Sequence, residues 1–178
     1  MKKLVTVAVG IAILLAGCYA ASPVLGFWRL QQAARTGNQD ALEEVVDFPA
    51  VRGAMKAELH LGLMEKLQSS PGLKGNGFAT LGLMFANALI DKVVDSYLTP
   101  QAIAMMVTRA KPPRPDGRAD ASPPPQLDRT YGYVTLDRFR VTVADHAHPD
   151  LPLAFVMERR GLFDWKLIRI DLPPKLFG

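Results

Sequence analysis

The chain is poor in the residues from which catalytic and metal centres are usually built. One cysteine stands among 178 residues, which rules out an intrachain disulfide framework and any cysteine-based zinc site. Net charge is also scarce: without Lys2 and Lys3 the balance is 19 basic against 17 acidic side chains. A nucleic-acid binder needs a dense field of Lys and Arg to displace counterions from phosphate, so that class is excluded as a partner. No Gly-x-Ser-x-Gly elbow occurs, and His60 stands alone on a helical stretch, so serine or cysteine nucleophile chemistry has no support. Gly72 and Gly77 have the spacing of a phosphate loop, but Phe78 occupies the place of its lysine and no strand precedes it.

What the chain does have is an apolar beginning. Lys2 and Lys3 lead into Leu4 to Ala16, where Thr6 is the one clearly polar side chain. A charged start followed by an apolar run has the form of an export signal. Leu15-Ala16-Gly17-Cys18 resembles the lipobox of bacterial lipoproteins, in which small residues admit the peptidase and the thiol takes a diacylglycerol. Cys18 is therefore the expected lipid attachment site. A retained span is the alternative, because Leu4 to Ala21 would rise about 27 Å as a helix, close to the ~30 Å hydrocarbon core. Both readings hold the rest of the chain on the outer side of a membrane. Tyr19 in place of an aspartate after the cysteine points to outer-membrane sorting where the cell has such a membrane.

Helical signals fill the first half. Pro23 fits a first helical turn, and Val24 to Thr36 carries Leu25, Trp28, Leu30 and Ala33 among polar residues. Gly37 suits a carboxyl cap, and Asn38 an amino cap for a short helix through Leu42, Val45 and Val46. Asp47 can accept backbone N–H bonds at the start of the next helix, with Pro49 in its first turn. That helix reads Phe48, Val51, Met55, Leu59 and Leu63 at helical spacing to about Gln68. A long, almost wholly apolar helix over Phe78 to Tyr97 is expected to be central and buried. Thr99-Pro100 opens a last helix through Ile103, Met106 and Val107.

Lys111 to Arg129 holds six prolines and no apolar period, the composition of a mobile loop. Beyond it the period changes to two. Tyr131 to Leu136, Phe139 to Ala144, Leu151 to Glu158 and Asp164 to Leu172 read as strands, with Phe139, Val141 and Val143 on one face. Helices followed by an antiparallel meander predict an α+β fold, its helical layer laid on a small C-terminal sheet. The organisation is a leader or anchor over residues 1–21, then one domain over residues 22–178 with a Pro-rich loop at 111–129.

Tyr19, Ser22-Pro23, Ala34-Arg35-Thr36-Gly37-Asn38, Val46-Asp47-Phe48-Pro49 with Arg52, Leu98-Thr99-Pro100 and Trp165-Lys166-Leu167 follow one another in this order. In that succession the chain resembles the bacterial domain of unknown function 2939 family. The resemblance implies an apolar leader, a location at the membrane and no assigned activity. The order of elements is also similar to cone-shaped sheet proteins of the nuclear-transport-factor-2 type, an analogy of fold alone.

Few side chains gather as chemistry requires. His146 and His148 lie beside Asp145 and Asp150, which suits a metal, though the stretch has the composition of a turn. Asn87, Asp91 and Asp95 follow at four-residue steps and read as a wet helix edge. Asp47 and Arg52 read as a cap and its partner. Met55, Met64, Met84, Met105, Met106 and Met157 suit core filling, or a groove for a lipid or peptide. The expected function is that of a membrane-tethered, non-catalytic binding or scaffolding domain of the cell envelope. Its alternatives are an enzyme of the cone-shaped sheet class or a metal binder through His146 and His148.

Overall fold

The computed structural model describes residues 2–68, 77–110 and 125–173. Five helices come first: α1 (Lys2–Thr36), α2 (Gln39–Val45), α3 (Phe48–Gln68), α4 (Gly77–Tyr97) and α5 (Pro100–Arg109). Four strands follow: β1 (Leu127–Thr135), β2 (Arg138–Asp145), β3 (His148–Arg159) and β4 (Trp165–Asp171). They pair as one antiparallel meander in the order β1-β2-β3-β4. The fold is α+β, as the change of period predicts.

The caps explain where the helices begin. Asn38 accepts a hydrogen bond from the Ala41 N–H, and Thr99 accepts one from Ala102, each at 3.2 Å. Gly37 ends α1 with φ of +63°, a conformation that glycine adopts without strain. The Asp47 carboxylate accepts from the Ala50 N–H at 3.1 Å and opens α3. Just before it, Val46 forms an isolated parallel bridge to Leu167, and the Asp47 N–H donates to the Leu167 carbonyl at 2.9 Å. The α2–α3 corner is thereby fixed to β4.

Alternation then sets the core. Phe139, Val141 and Val143 of β2, Leu153, Phe155 and Met157 of β3, and Trp165, Leu167 and Ile170 of β4 are all buried on the inner face. Phe27 and Leu30 of α1, Val51 and Met55 of α3, and Ile103, Met106 and Val107 of α5 cover them. Burying a side chain of this size is worth about 1.5–3 kcal/mol, so this layer supplies most of the favourable folding energy.

Several expectations change. The buried face of α1 is Phe27, Leu30, Ala33 and Ala34, while Leu25 and Trp28 are exposed. Gly26 lies on that buried face, where a backbone with no Cβ fits against Trp165. The expected central helix is instead peripheral: α4 packs on α3, and its Phe85 and Leu89 are 76% and 62% exposed. Finally, β1 begins at Leu127, so Leu127 to Arg129 belong to the sheet rather than the Pro-rich loop; residues 111–124 of that loop lie outside the described residues, as does the glycine-rich connection over 69–76.

Candidate functional site

Helix α1 passes from an all-round exposed apolar segment into the core without ending, although Pro23 lies inside it. A proline within a helix removes one N–H and leaves the carbonyl four residues earlier, here that of Tyr19, without its helical donor. Ser22 supplies the replacement: its hydroxyl donates to the Tyr19 carbonyl at 2.8 Å. The Ser22 oxygen in turn accepts from Trp165 Nε1 at 2.9 Å and from Arg159 Nη1 at 3.3 Å. The helix therefore repairs its own turn through Ser22, which the sheet holds in place.

Arg159 organises the same place. Its guanidinium lies 3.7 Å from the centre of the Tyr19 ring and 4.3 Å from that of Trp165. It donates to the Leu162 carbonyl at 2.8 Å and the Leu136 carbonyl at 3.3 Å, and forms an ion pair with Asp137 at 3.5 Å. A cation against aromatic faces gains more when desolvated, and the Arg159 side chain is nearly buried. Tyr133 completes the seam by donating its hydroxyl to the Ala20 carbonyl at 2.8 Å. The end of the sheet that carries the β1–β2 and β3–β4 turns is thus clamped around residues 19–26 of α1.

Two open recesses lie elsewhere, beside α3. One, of about 500 Å³, is lined by Glu43, Asp47, Phe48, Arg52, Pro100 and Lys166. The other, of about 310 Å³, lies between α3 and the outer face of the sheet, where Arg138, Arg140, Arg160 and Arg169 converge. Carboxylates answer most of that charge: Glu158 pairs with Arg138 and Arg160, Asp171 with Arg140, and Asp47 with Arg160 at 2.9 Å. In the middle of α3, Glu58 accepts from the Leu172 N–H at 3.4 Å. Burial and, after it, the nearby Asp171 carboxylate raise the Glu58 pKa above its ordinary value, against that hydrogen bond and Arg169.

The residues singled out in the sequence are dispersed. Cys18 is exposed on α1, one position before Tyr19. His146 pairs with Asp128 at 2.8 Å and His148 with Asp145 at 3.8 Å, so the imidazoles serve different carboxylates at the β2–β3 turn. Among the described residues no group of three or more His, Cys, Asp or Glu is placed to hold a metal ion. Asp95 and Asp91 face Lys56 of α3 at 2.8 and 3.9 Å, which joins α4 to α3. Asp47 caps α3 as expected, but its charged partner is Arg160, while Arg52 donates to the Leu98 carbonyl at 3.2 Å. Met55, Met106 and Met157 fill the core, and Met64 is exposed. The side chains of Met84 and Asn87 lie outside the described residues. The Ser22, Arg159 and Trp165 cluster escaped sequence reasoning because Ser22 stands more than 130 positions from the other two; the one local signal was a serine directly before a proline in a helical stretch.

Neither the curated proteins nor the solved structures give a match to the chain. The model of one family, described as protein of unknown function (DUF2939), matches residues 12–106. The matched stretch begins inside the apolar segment of α1 and ends within α5, so it takes in Ser22, Pro23 and Asp47 but stops before the sheet. Trp165-Lys166-Leu167 therefore falls outside it. The match covers more than half of the sequence, and the chain belongs to the DUF2939 family.

Proposed function

We propose that this protein is a membrane-tethered binding or scaffolding protein of the bacterial cell envelope, its domain displayed outside the cytoplasm and without a catalytic role. One observation carries the reading: residues 4–18 of α1 are exposed on every side and, but for Thr6, apolar, and from Ser22 onward the same helix turns a buried face to the sheet. Exposed apolar side chains in such number need a medium that dissolves them. The helix is long and apolar enough to cross a bilayer by length and composition. We place lipid attachment at Cys18; cleavage before it would leave Tyr19, Ser22 and every later junction residue in place.

A binding role is supported by α4, where Phe85, Leu89 and Val93 recur every four residues on an exposed stripe. This stripe suits an apolar peptide or lipid ligand. Sidedness is tested with alkaline phosphatase fused at the carboxyl end of the full chain, which is expected to be active, as it is after export. A fusion active only in a cytosolic format would end the reading. Lipidation is tested by Cys18→Ser, which should block maturation and alter gel mobility. An unchanged, membrane-bound product would assign the anchor to a retained span.

A further inference from the structure

The turns at the clamped end of the sheet are unusually apolar for solvated hairpins. Leu136 in the β1–β2 turn is 78% exposed, and Leu162 and Phe163 in the β3–β4 turn are 72% and 50% exposed. Their position is fixed relative to α1. Arg159 binds the carbonyls of both Leu136 and Leu162 while its guanidinium lies on the Tyr19 ring, so both tips sit level with residue 19. Farther along, Phe27 meets Tyr131 and Phe155 in the middle of the strands, which sets the helix running away from the tips toward its carboxyl end. The exposed apolar segment accordingly leaves the domain past Leu136 and Leu162.

Length then decides where the bilayer surface falls. Between the charged pair Lys2-Lys3 and Tyr19, the exposed residues Leu4 to Cys18 rise about 22 Å, short of a ~30 Å hydrocarbon core. Beyond them the sheet end takes hold of the helix: Tyr19 lies against Arg159, the Ala20 carbonyl accepts from Tyr133 and Ser22 is buried, while the Ala20 and Ala21 side chains stay exposed. An acyl chain on Cys18 would start from the same level. We propose that Leu136, Leu162 and Phe163 insert into the bilayer interface beside α1, forming a second membrane contact that seats the domain directly on the lipid. Large apolar side chains carried beside a membrane helix partition into that interface. Two acids adjoin the tips, Asp137 paired with Arg159 at 3.5 Å and Asp164 paired with Arg29 at 3.7 Å. They stop the insertion at headgroup depth.

The inference rests on the tethered reading, and its test separates the two. The full chain carrying Cys18→Ser, which keeps α1 as anchor, receives one cysteine at Leu136→Cys, Leu162→Cys or, at the opposite end of the sheet, the exposed Ala147→Cys. Each is labelled with an environment-sensitive nitrobenzoxadiazole and reconstituted into phosphatidylethanolamine and phosphatidylglycerol vesicles containing a nitroxide-bearing lipid. Labels at 136 and 162 are expected to emit at shorter wavelength and to be quenched by the nitroxide, and the label at 147 is not. Protein that floats with the vesicles while all three labels report water overturns the second contact and leaves the tether standing. Protein that does not float overturns both.

Discussion

Replacing glycine by alanine at two helical positions should change stability in opposite directions. In a helix interior the substitution gains roughly 0.5–1 kcal/mol, because alanine loses less backbone freedom on folding. Gly53 of α3 is exposed, and a Cβ there would meet nothing within 4 Å, so Gly53→Ala should show that gain undiminished. At Gly26 of α1 the added Cβ would stand 2.7 Å from Trp165 Cβ and 3.2 Å from its Cγ. These atoms lie at the root of a side chain already held by Ser22, so rotation does not relieve the contact. Overpacking of this kind costs about 1–3 kcal/mol, which set against the propensity gain leaves a net loss of up to about 2.5 kcal/mol. Urea unfolding of the full chain in mild detergent measures both, and for a domain of this size each kcal/mol moves the melting temperature by about 2–4 °C. A Gly26→Ala protein as stable as the parent would mean that α1 does not pack on β4 as described.

Further expectations concern the polar contacts. Ser22→Ala strands the buried Trp165 Nε1–H and the Tyr19 carbonyl, at a cost of about 1–3 kcal/mol, read as a lower urea midpoint. Asp47→Ala removes the α3 cap and one of the two carboxylates on Arg160, and should cost about 1 kcal/mol by the same assay; no change would show that the α2–α3 corner is held by the Leu167 backbone alone. Glu58 titrates above its unfolded value, so the folded state binds the proton more tightly. Stability should therefore fall as pH rises from the ordinary carboxyl range through the raised pKa, and Glu58→Gln should flatten that fall and be the more stable form at neutral pH. Parallel pH profiles for the two proteins would remove Glu58 as the cause.

The elements themselves were legible because their signals are local. Asn38, Thr99 and Asp47 announce helix starts within three residues, and the alternation of Phe139, Val141 and Val143 identifies the inner face of the sheet. The α4 helix misled for a physical reason: apolar composition signals burial only where a surface exists to cover it, and the neighbours of α4 leave Phe85 and Leu89 in the open. Similarly, the face of α1 was misplaced because its closest contact is made by a glycine, which an apolar count does not register. The junction was least legible of all. Pro23 read locally as a helix start, and its tolerance inside α1 depends on Ser22 together with Trp165 and Arg159 from the other end of the chain.

The central physical claim is that α1 of the full, uncleaved chain stays one rod across Pro23, so that its exposed apolar part and the part packed on the sheet move together. The direct measurement is a spin-label distance in vesicles between native Cys18 and Ala147→Cys, made on full chain produced by cell-free synthesis so that the thiol is free. A single narrow distance is the expected result. A broad distribution, the mark of a hinge at Pro23, would contradict it.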